Sequence, residues 1–103
     1  MTDWVETSWF LSDALPFIGK LQPGAMESGW CLMLGGGVLN RGYSPNDLDL
    51  LAYPRTRESR VENLLPLLPE GEWSETPVSR VDSFPWQGKK VELIFQTWSP
   101  PCP

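Results

Sequence analysis

The order of apolar and polar residues along the chain predicts four β-strands. The run from Trp30 to Leu34 is apolar throughout, which is typical of a buried strand. Near the C-terminus, two runs rich in apolar residues are separated by the segment PWQG, whose glycine is a hairpin signal. The four predicted strands cover residues 30–34, 47–53, 78–84 and 89–96.

Helical spacing predicts two longer helices. Residues 3–21 carry apolar side chains at three- and four-residue steps, and Pro16 is expected to break or kink this helix because proline cannot donate the helical hydrogen bond. Residues 55–68 form the second helix, with Pro66 expected to disturb its last turn. The turn-rich segments 22–29 and 69–77 are expected to be a connector and a loop.

These elements indicate one small domain with mixed secondary structure. The glycines at 35–37 stop the first strand, and residues 38–46 are expected to form a loop or a short helical turn. The element order predicts an α+β (mixed α/β) fold, in which two or three helices pack on a mixed sheet of about four strands. With 103 residues, the chain is expected to be a single domain over residues 1–103, with an irregular proline-rich tail at 97–103.

Composition narrows the range of functions. The 8 basic and 13 acidic residues give a net charge of −5, which disfavours extended nucleic acid as a partner because phosphate neutralisation needs clustered lysine and arginine. The absence of histidine excludes histidine-based nucleophilic catalysis and zinc sites built on imidazole. No apolar run is long enough to span a membrane, and the N-terminus lacks the basic region of a signal peptide, so we expect a cytoplasmic protein with no membrane partner.

Two aspartates interrupt the otherwise apolar strand at 47–53. Because alternate residues of a strand point to the same face, Asp47 and Asp49 share one face, while Leu48 and Leu50 share the other. Two carboxylates on one face repel each other, and a divalent cation such as Mg²⁺ relieves that repulsion while keeping positions open for phosphate oxygens. Glu92, in the apolar strand KKVELIF, completes a cluster of three carboxylates if the two strands are neighbours.

A glycine turn precedes the two aspartates. Gly36 and Gly37 allow the backbone to approach a ligand closely and to present N–H groups to phosphate oxygens. The loop that follows is expected to return the chain so that Asp47 lies near this turn.

The arrangement resembles the nucleotidyltransferase superfamily, which includes DNA polymerase beta, CCA-adding enzymes and the minimal nucleotidyltransferases. The family pattern is an apolar strand, a Gly-Gly or Gly-Ser pair, a short spacer, Asp-x-Asp between apolar residues and a third acid on a later strand. The segments MLGG, DLDLL and VELIF meet this pattern over residues 30–96. The resemblance implies a minimal nucleotidyltransferase-like domain.

The resemblance also implies a role for each matching residue. Asp47 and Asp49 would be metal ligands, and Glu92 would be the third ligand or the base toward the acceptor hydroxyl. Gly36 and Gly37 would cradle the triphosphate. The implied cofactor is Mg²⁺ or Mn²⁺, and the implied substrate is a nucleoside triphosphate such as ATP. Many members have serine as the second residue of the glycine pair, and Ser44 is the nearest hydroxyl in this loop. Arg41 is a further candidate for nucleotide binding, because it borders the site in the sequence and its guanidinium could steady phosphates.

Each candidate also has a purely structural interpretation. Asp47 could be a turn residue, and the three glycines could form only a tight turn. Glu92 could be an exposed cross-strand partner of Arg80 or Lys89. Asp82 is a rival for the third acid, although its neighbours are less apolar than those of Glu92.

Two functional hypotheses follow. The first is a metal-dependent nucleotidyltransferase that moves a nucleoside monophosphate onto a hydroxyl, with a protein side chain or a small molecule favoured as acceptor by the acidic composition. Small superfamily members that act as antitoxins and nucleotidylate a protein partner are its model by resemblance. The second is a catalytically inactive protein of the same fold that acts as a protein–protein interaction module or inhibitor. Larger members continue into a helical domain after the third acid, and no room for one is expected after Glu92, so nucleotide and acceptor stay unassigned.

Overall fold

A computed structural model of the protein describes residues 8–45, 47–75 and 79–98. Within these residues the chain forms seven strands, three α-helices and one 3₁₀ turn. In chain order they are β1 (Trp9–Phe10), α1 (Leu11–Glu27), β2 (Trp30–Leu34), α2 (Gly36–Arg41), β3 (Tyr43–Ser44), β4 (Asp47–Pro54), α3 (Val61–Leu64), the 3₁₀ turn (Leu65–Leu67), β5 (Glu72–Glu75), β6 (Arg80–Trp86) and β7 (Lys89–Phe95).

Five of the strands form one mixed sheet in the order β2-β4-β7-β6-β5. Strands β4 and β7 are parallel, and the other neighbouring pairs are antiparallel. Strands β1 and β3 form a separate two-stranded antiparallel sheet. The expected mixed α+β class is confirmed, with more strands than the four that the sequence predicted.

One face of the five-stranded sheet forms the hydrophobic core. On the central strands β4 and β7 alternate residues are buried, and each of Leu48, Leu50, Val91 and Leu93 is at most 1% exposed. Helices α1 and α3 cover this face, because Phe17 and Leu64 belong to the same buried cluster. The strands predicted at 30–34 and 47–53 are therefore confirmed, and so is their placement in the core.

Helix α1 is one continuous helix that contains both Pro16 and Pro23. The expected break at Pro16 was therefore wrong. The connector expected at 22–29 was wrong up to Glu27, where the helix ends. Each proline removes one helical hydrogen bond, but both are exposed, and a stripe at three- and four-residue steps packs inward. That stripe is Ala14, Phe17, Ile18, Leu21 and Ala25. The free energy gained by burying this stripe outweighs the cost of two prolines inside the helix.

The start of the predicted first helix also differs from the structure. Residues 9 and 10 form β1, paired with β3, and residues 3–7 lie outside the described residues. No helix in the described part of the chain is long and apolar enough to cross a membrane.

The helix predicted at 55–68 is short. Only Val61–Leu64 is α-helical, and the 3₁₀ turn follows it at Pro66. Before it, the Thr56 N–H donates to Ser59 Oγ at 3.1 Å, and the Ser59 N–H donates to the Thr56 carbonyl at 3.2 Å. These local bonds form a turn that competes with helix.

The loop predicted at 69–77 contains strand β5, which pairs with β6 and lies at the edge of the sheet. All four residues of β5 are exposed, so the sequence has no alternation of core and surface residues here that would predict a strand. The predicted hairpin of β6 and β7 is confirmed, but its turn is tighter than PWQG. Gln87 and Gly88 connect the strands with φ of 52° and 79°, the two positive values of a type I′ turn.

The tail expected at 97–103 is irregular where it is described, at Thr97 and Trp98. Its remaining residues, 99–103, lie outside the described residues, as do Asn46 and residues 76–78.

The Gln22 side chain closes part of the outer edge of β2. Its Nε2 donates to the Leu32 carbonyl at 2.9 Å, and its Oε1 accepts from the Leu32 N–H at 2.8 Å. The amide thus satisfies both backbone groups of one residue on an edge strand, as a neighbouring strand would. We expect Gln22→Ala to lower the free energy of unfolding by about 1–3 kcal/mol, because two part-buried backbone groups lose their partner.

Urea denaturation at neutral pH measures this change. Lys20→Ala, at an exposed position of the same helix, is the control and should lie within about 0.5 kcal/mol of the wild type. Equal stability of the Gln22 variant and the wild type would show that the two hydrogen bonds of the Gln22 amide contribute nothing to the free energy of unfolding.

Candidate functional site

The parallel pairing of β4 and β7 brings three carboxylates together. Asp49 lies directly beside Glu92 in the register, and Asp47 precedes Asp49 by two residues on the same face. One oxygen from each of Asp47, Asp49 and Glu92 lies within 4.8 Å of the others. These three side chains, here called the carboxylate cluster, are half-buried on the sheet face opposite the core. The geometric condition that the sequence could not supply, Glu92 beside Asp49, is met.

The rival acid lies on the other side of the sheet. Asp82 pairs in register with Leu93, whose side chain is in the core. Its carboxylate accepts a hydrogen bond from Arg80 Nε at 2.7 Å, and together they form an ion pair. Asp82 therefore has a structural partner, and Glu92 is the third acid of the cluster.

Gly36 lies against the carboxylate cluster. It has a φ of +60°, and a Cβ added to it would overlap Asp49 Oδ2 and lie 2.9 Å from Asp49 Cγ. The Gly35 N–H donates to the Asp49 carbonyl at 2.9 Å, which fixes this turn to β4. Glycine at position 36 is thus required both by the backbone conformation and by the Asp49 carboxylate.

The other predicted nucleotide-binding residues form an adjoining group. A Cβ at Gly37 would lie 2.7 Å from Arg41 Nη2 and 3.3 Å from Ser44 Cβ. The Arg41 guanidinium lies over the ring of Tyr43, 5.4 Å from its centroid, and is exposed. Ser44 is only 7% exposed, so its hydroxyl has little access to a ligand in this conformation. The structure therefore places all the predicted site residues at one end of the sheet, in two adjoining groups.

Lys90 is the residue that the sequence interpretation missed. Its Nζ lies 3.1 Å from Glu92 Oε1, so the proposed cross-strand partners Arg80 and Lys89 are not those of Glu92. Lys89 pairs instead with Asp13, at 3.1 Å. The signal for Lys90 was available, since residues two apart on a strand share a face. Its positive charge offsets part of the negative charge of the cluster.

The cluster raises the pKa of both aspartates. For Asp47, burial is the main cause and repulsion from Glu92 the second, while Lys90 opposes them. For Asp49, burial again comes first, followed by repulsion from Asp47 and then from Glu92. Bonding to Glu92 raises the pKa of Lys90. The site thus concentrates negative charge, and among the groups that shift the two aspartate pKa values Lys90 is the one that lowers them.

The donor set suits a hard divalent cation. Mg²⁺ and Mn²⁺ prefer carboxylate oxygens, and a cation among these three would offset the repulsion that adds to burial in raising the aspartate pKa values. A search of protein-family models and of curated proteins finds no match to this chain.

We expect Gly36→Ala to destabilise the fold by about 1–3 kcal/mol, because the new methyl group overlaps the Asp49 carboxylate and the residue keeps a positive φ. Gly19→Ala is the matched control. Gly19 lies inside α1 with no atom within 4 Å of an added Cβ, so this variant should be more stable than wild type by about 0.5–1 kcal/mol. Urea denaturation compares the two. Equal responses at both glycines would remove the special role of position 36.

The raised pKa values also predict a pH dependence. An aspartate with a raised pKa binds its proton more tightly in the folded state, so its contribution to stability is full below the usual value of 3.8 and is lost as pH rises through the raised pKa. Without divalent cations, Asp49→Asn should therefore stabilise the protein at neutral pH, by about 0.5–1 kcal/mol for this partly solvated group. The gain should disappear below pH 3.8.

Thermal unfolding with a chelator, repeated across the pH range, measures this gain. Glu70→Gln, an exposed position, controls for the loss of one negative charge. A neutral-pH gain that is equal in the two variants would mean that net charge, rather than the carboxylate cluster, is responsible.

Proposed function

We propose that this protein is a metal-dependent nucleotidyltransferase that moves a nucleoside monophosphate from a nucleoside triphosphate onto a hydroxyl acceptor. The observation that supports the proposal best is the carboxylate cluster, because Asp47, Asp49 and Glu92 share one open face of the sheet beside a glycine turn. Carboxylates in this number are suited to hold Mg²⁺ or Mn²⁺, which would neutralise phosphate charge.

The residues of the chain have separate tasks in this proposal. Asp47 and Asp49 hold the cation, and the backbone at Gly36 and Gly37 together with Arg41 binds the triphosphate. The acceptor oxygen forms a bond to the α-phosphorus, the bond from that phosphorus to the bridging oxygen breaks, and pyrophosphate leaves. Glu92 takes the acceptor proton or serves as the third ligand. Ser44, which is buried, would serve by supporting Gly37.

The acceptor is a protein side chain or a small molecule. The net charge of −5 and the acidic site disfavour the backbone of an extended nucleic acid. The nucleoside triphosphate is thus the one anionic ligand that the cation brings to the site. ATP is the first triphosphate to test.

Transfer of label from α-³²P nucleoside triphosphates in a host lysate, with Mg²⁺ or Mn²⁺, tests the proposal. We expect a labelled product with the wild type and at least a hundredfold less with Asp47→Asn/Asp49→Asn, because removing the cation ligands removes several kcal/mol of transition-state stabilisation. Asp82→Asn and Glu70→Gln should keep activity, since both positions lie outside the cluster. Circular dichroism checks that each variant is folded.

Label transfer that is unchanged in a folded double variant would contradict the proposed chemistry. A second function, a catalytically inactive interaction module or inhibitor, is favoured by one observation: apolar side chains continue across the sheet face beside the cluster. Under that function the double variant would keep its biological effect, and no label would be transferred by the wild type.

A further inference from the structure

The sheet face opposite the core carries a straight row of apolar side chains. The register aligns Met33 of β2 with Leu51 of β4, Leu51 with Ile94 of β7, and Ile94 with Val81 of β6. These four side chains, here called the apolar row, lie next to one another across four strands. Met33 is 51% exposed and the other three are half-buried.

The carboxylate cluster borders this row on one side. Asp49 and Glu92 each lie two residues before a member of the row on the same strand and face, about 7 Å away. The open face is therefore apolar along one band, and the next band, with three carboxylates and Lys90, carries a net negative charge.

We propose that this face is a docking surface for an amphipathic helix of another protein. The apolar stripe of that helix would lie along the apolar row, and lysine or arginine side chains on one flank would face the carboxylate cluster. As an interaction surface the proposal stands without nucleotide transfer. As an identification of the acceptor as a protein it rests on the proposed function.

The dimensions of the row fit one helix. Three spacings of about 4.8 Å between the four strands give about 14 Å, and a helix rising about 1.5 Å per residue covers this length with nine or ten residues. Three or four apolar side chains at helical spacing fill such a stretch. A helix about 10–12 Å in diameter extends about 5–6 Å to each side of its axis. An extended lysine or arginine side chain on its flank covers the remaining distance to the band about 7 Å away.

Charge selects the class of partner. An anionic membrane or a nucleic acid would meet the three carboxylates and be repelled, whereas a basic flank would gain charge-assisted hydrogen bonds. The row and the cluster together therefore favour a basic, amphipathic protein segment.

A synthetic peptide of about 18 residues tests the surface, since shorter isolated helices are marginal in water. The probe has a leucine stripe at helical spacing and lysines on one flank. Two control peptides keep its length: one has glutamate in place of lysine, and one has the same composition in scrambled order. Fluorescence anisotropy measures affinity without divalent cations, so the binding result is independent of any transferase activity.

We expect saturable binding of the lysine peptide and binding at least about tenfold weaker for each control. In ¹H–¹⁵N spectra the shifts should centre on Leu51 and Ile94. Met33→Lys should weaken binding about tenfold, since it replaces apolar area with a charge that repels the flank. Leu15→Lys is the matched control, because Leu15 is 55% exposed on α1, on the core side of the sheet, and should bind as wild type does.

Four results would overturn the proposal. The first three are no saturable binding up to about 1 mM peptide, equal affinity for the scrambled peptide, and shifts centred on α1. The fourth is that the wild-type protein itself covers the apolar row, either with its own terminal residues or with a second copy of the chain. The last would appear as contacts from residues 1–7 or 99–103 to Leu51 and Ile94 in nuclear Overhauser spectra, or as a dimer in light scattering that Met33→Lys dissociates. The Leu51 and Ile94 shifts are read on wild-type protein, so they decide the question even if a variant fails to fold.

Discussion

The parallel pairing of β4 with β7 is the constraint on which the rest of the structure depends. Leu48 and Leu50 lie beside Val91 and Leu93 on the core face, and this fully buried block holds the register, since a slip of one residue would turn every side chain of a strand to the opposite face. The same register sets Asp49 beside Glu92. The electrostatic repulsion of the carboxylate cluster is therefore opposed by core packing on the other side of the same two strands.

The glycine turn shows a second consequence of that register. Asp49 occupies the space where a side chain at position 36 would lie, and the turn is bonded to the backbone of the same aspartate. A residue with a Cβ would have to push the carboxylate away or leave the left-handed region that Gly36 adopts. The position of Asp49 and the identity of residue 36 thus depend on each other, which links the site to the end of β2.

The sequence predicted the part of the fold that period and burial control, and it failed where tertiary contacts override local preference. Strand β2 followed from an unbroken apolar run, whereas β4 and the two aspartates of the cluster followed from an apolar run with acids at alternate positions. Helix α1 passes through Pro16 because its inner stripe is buried, and no local rule contains that contact. Strand β5 is exposed on both faces and exists because β6 pairs with it. Lys90 was missed because it follows another lysine at the start of β7, where neither charge is distinguished by its neighbours.

A segment that covers the apolar row would also change the hydration of the carboxylate cluster beside it. The half-buried aspartates already bind protons more tightly than solvated ones, chiefly through burial. Any segment that covers the apolar row removes more water from Asp49 and Glu92, which raises the cost of their negative charges and strengthens every electrostatic interaction beside them. A cation or a basic side chain then becomes more favourable at the cluster than it is on the open face. Docking on the row and positive charge at the cluster are therefore expected to reinforce each other.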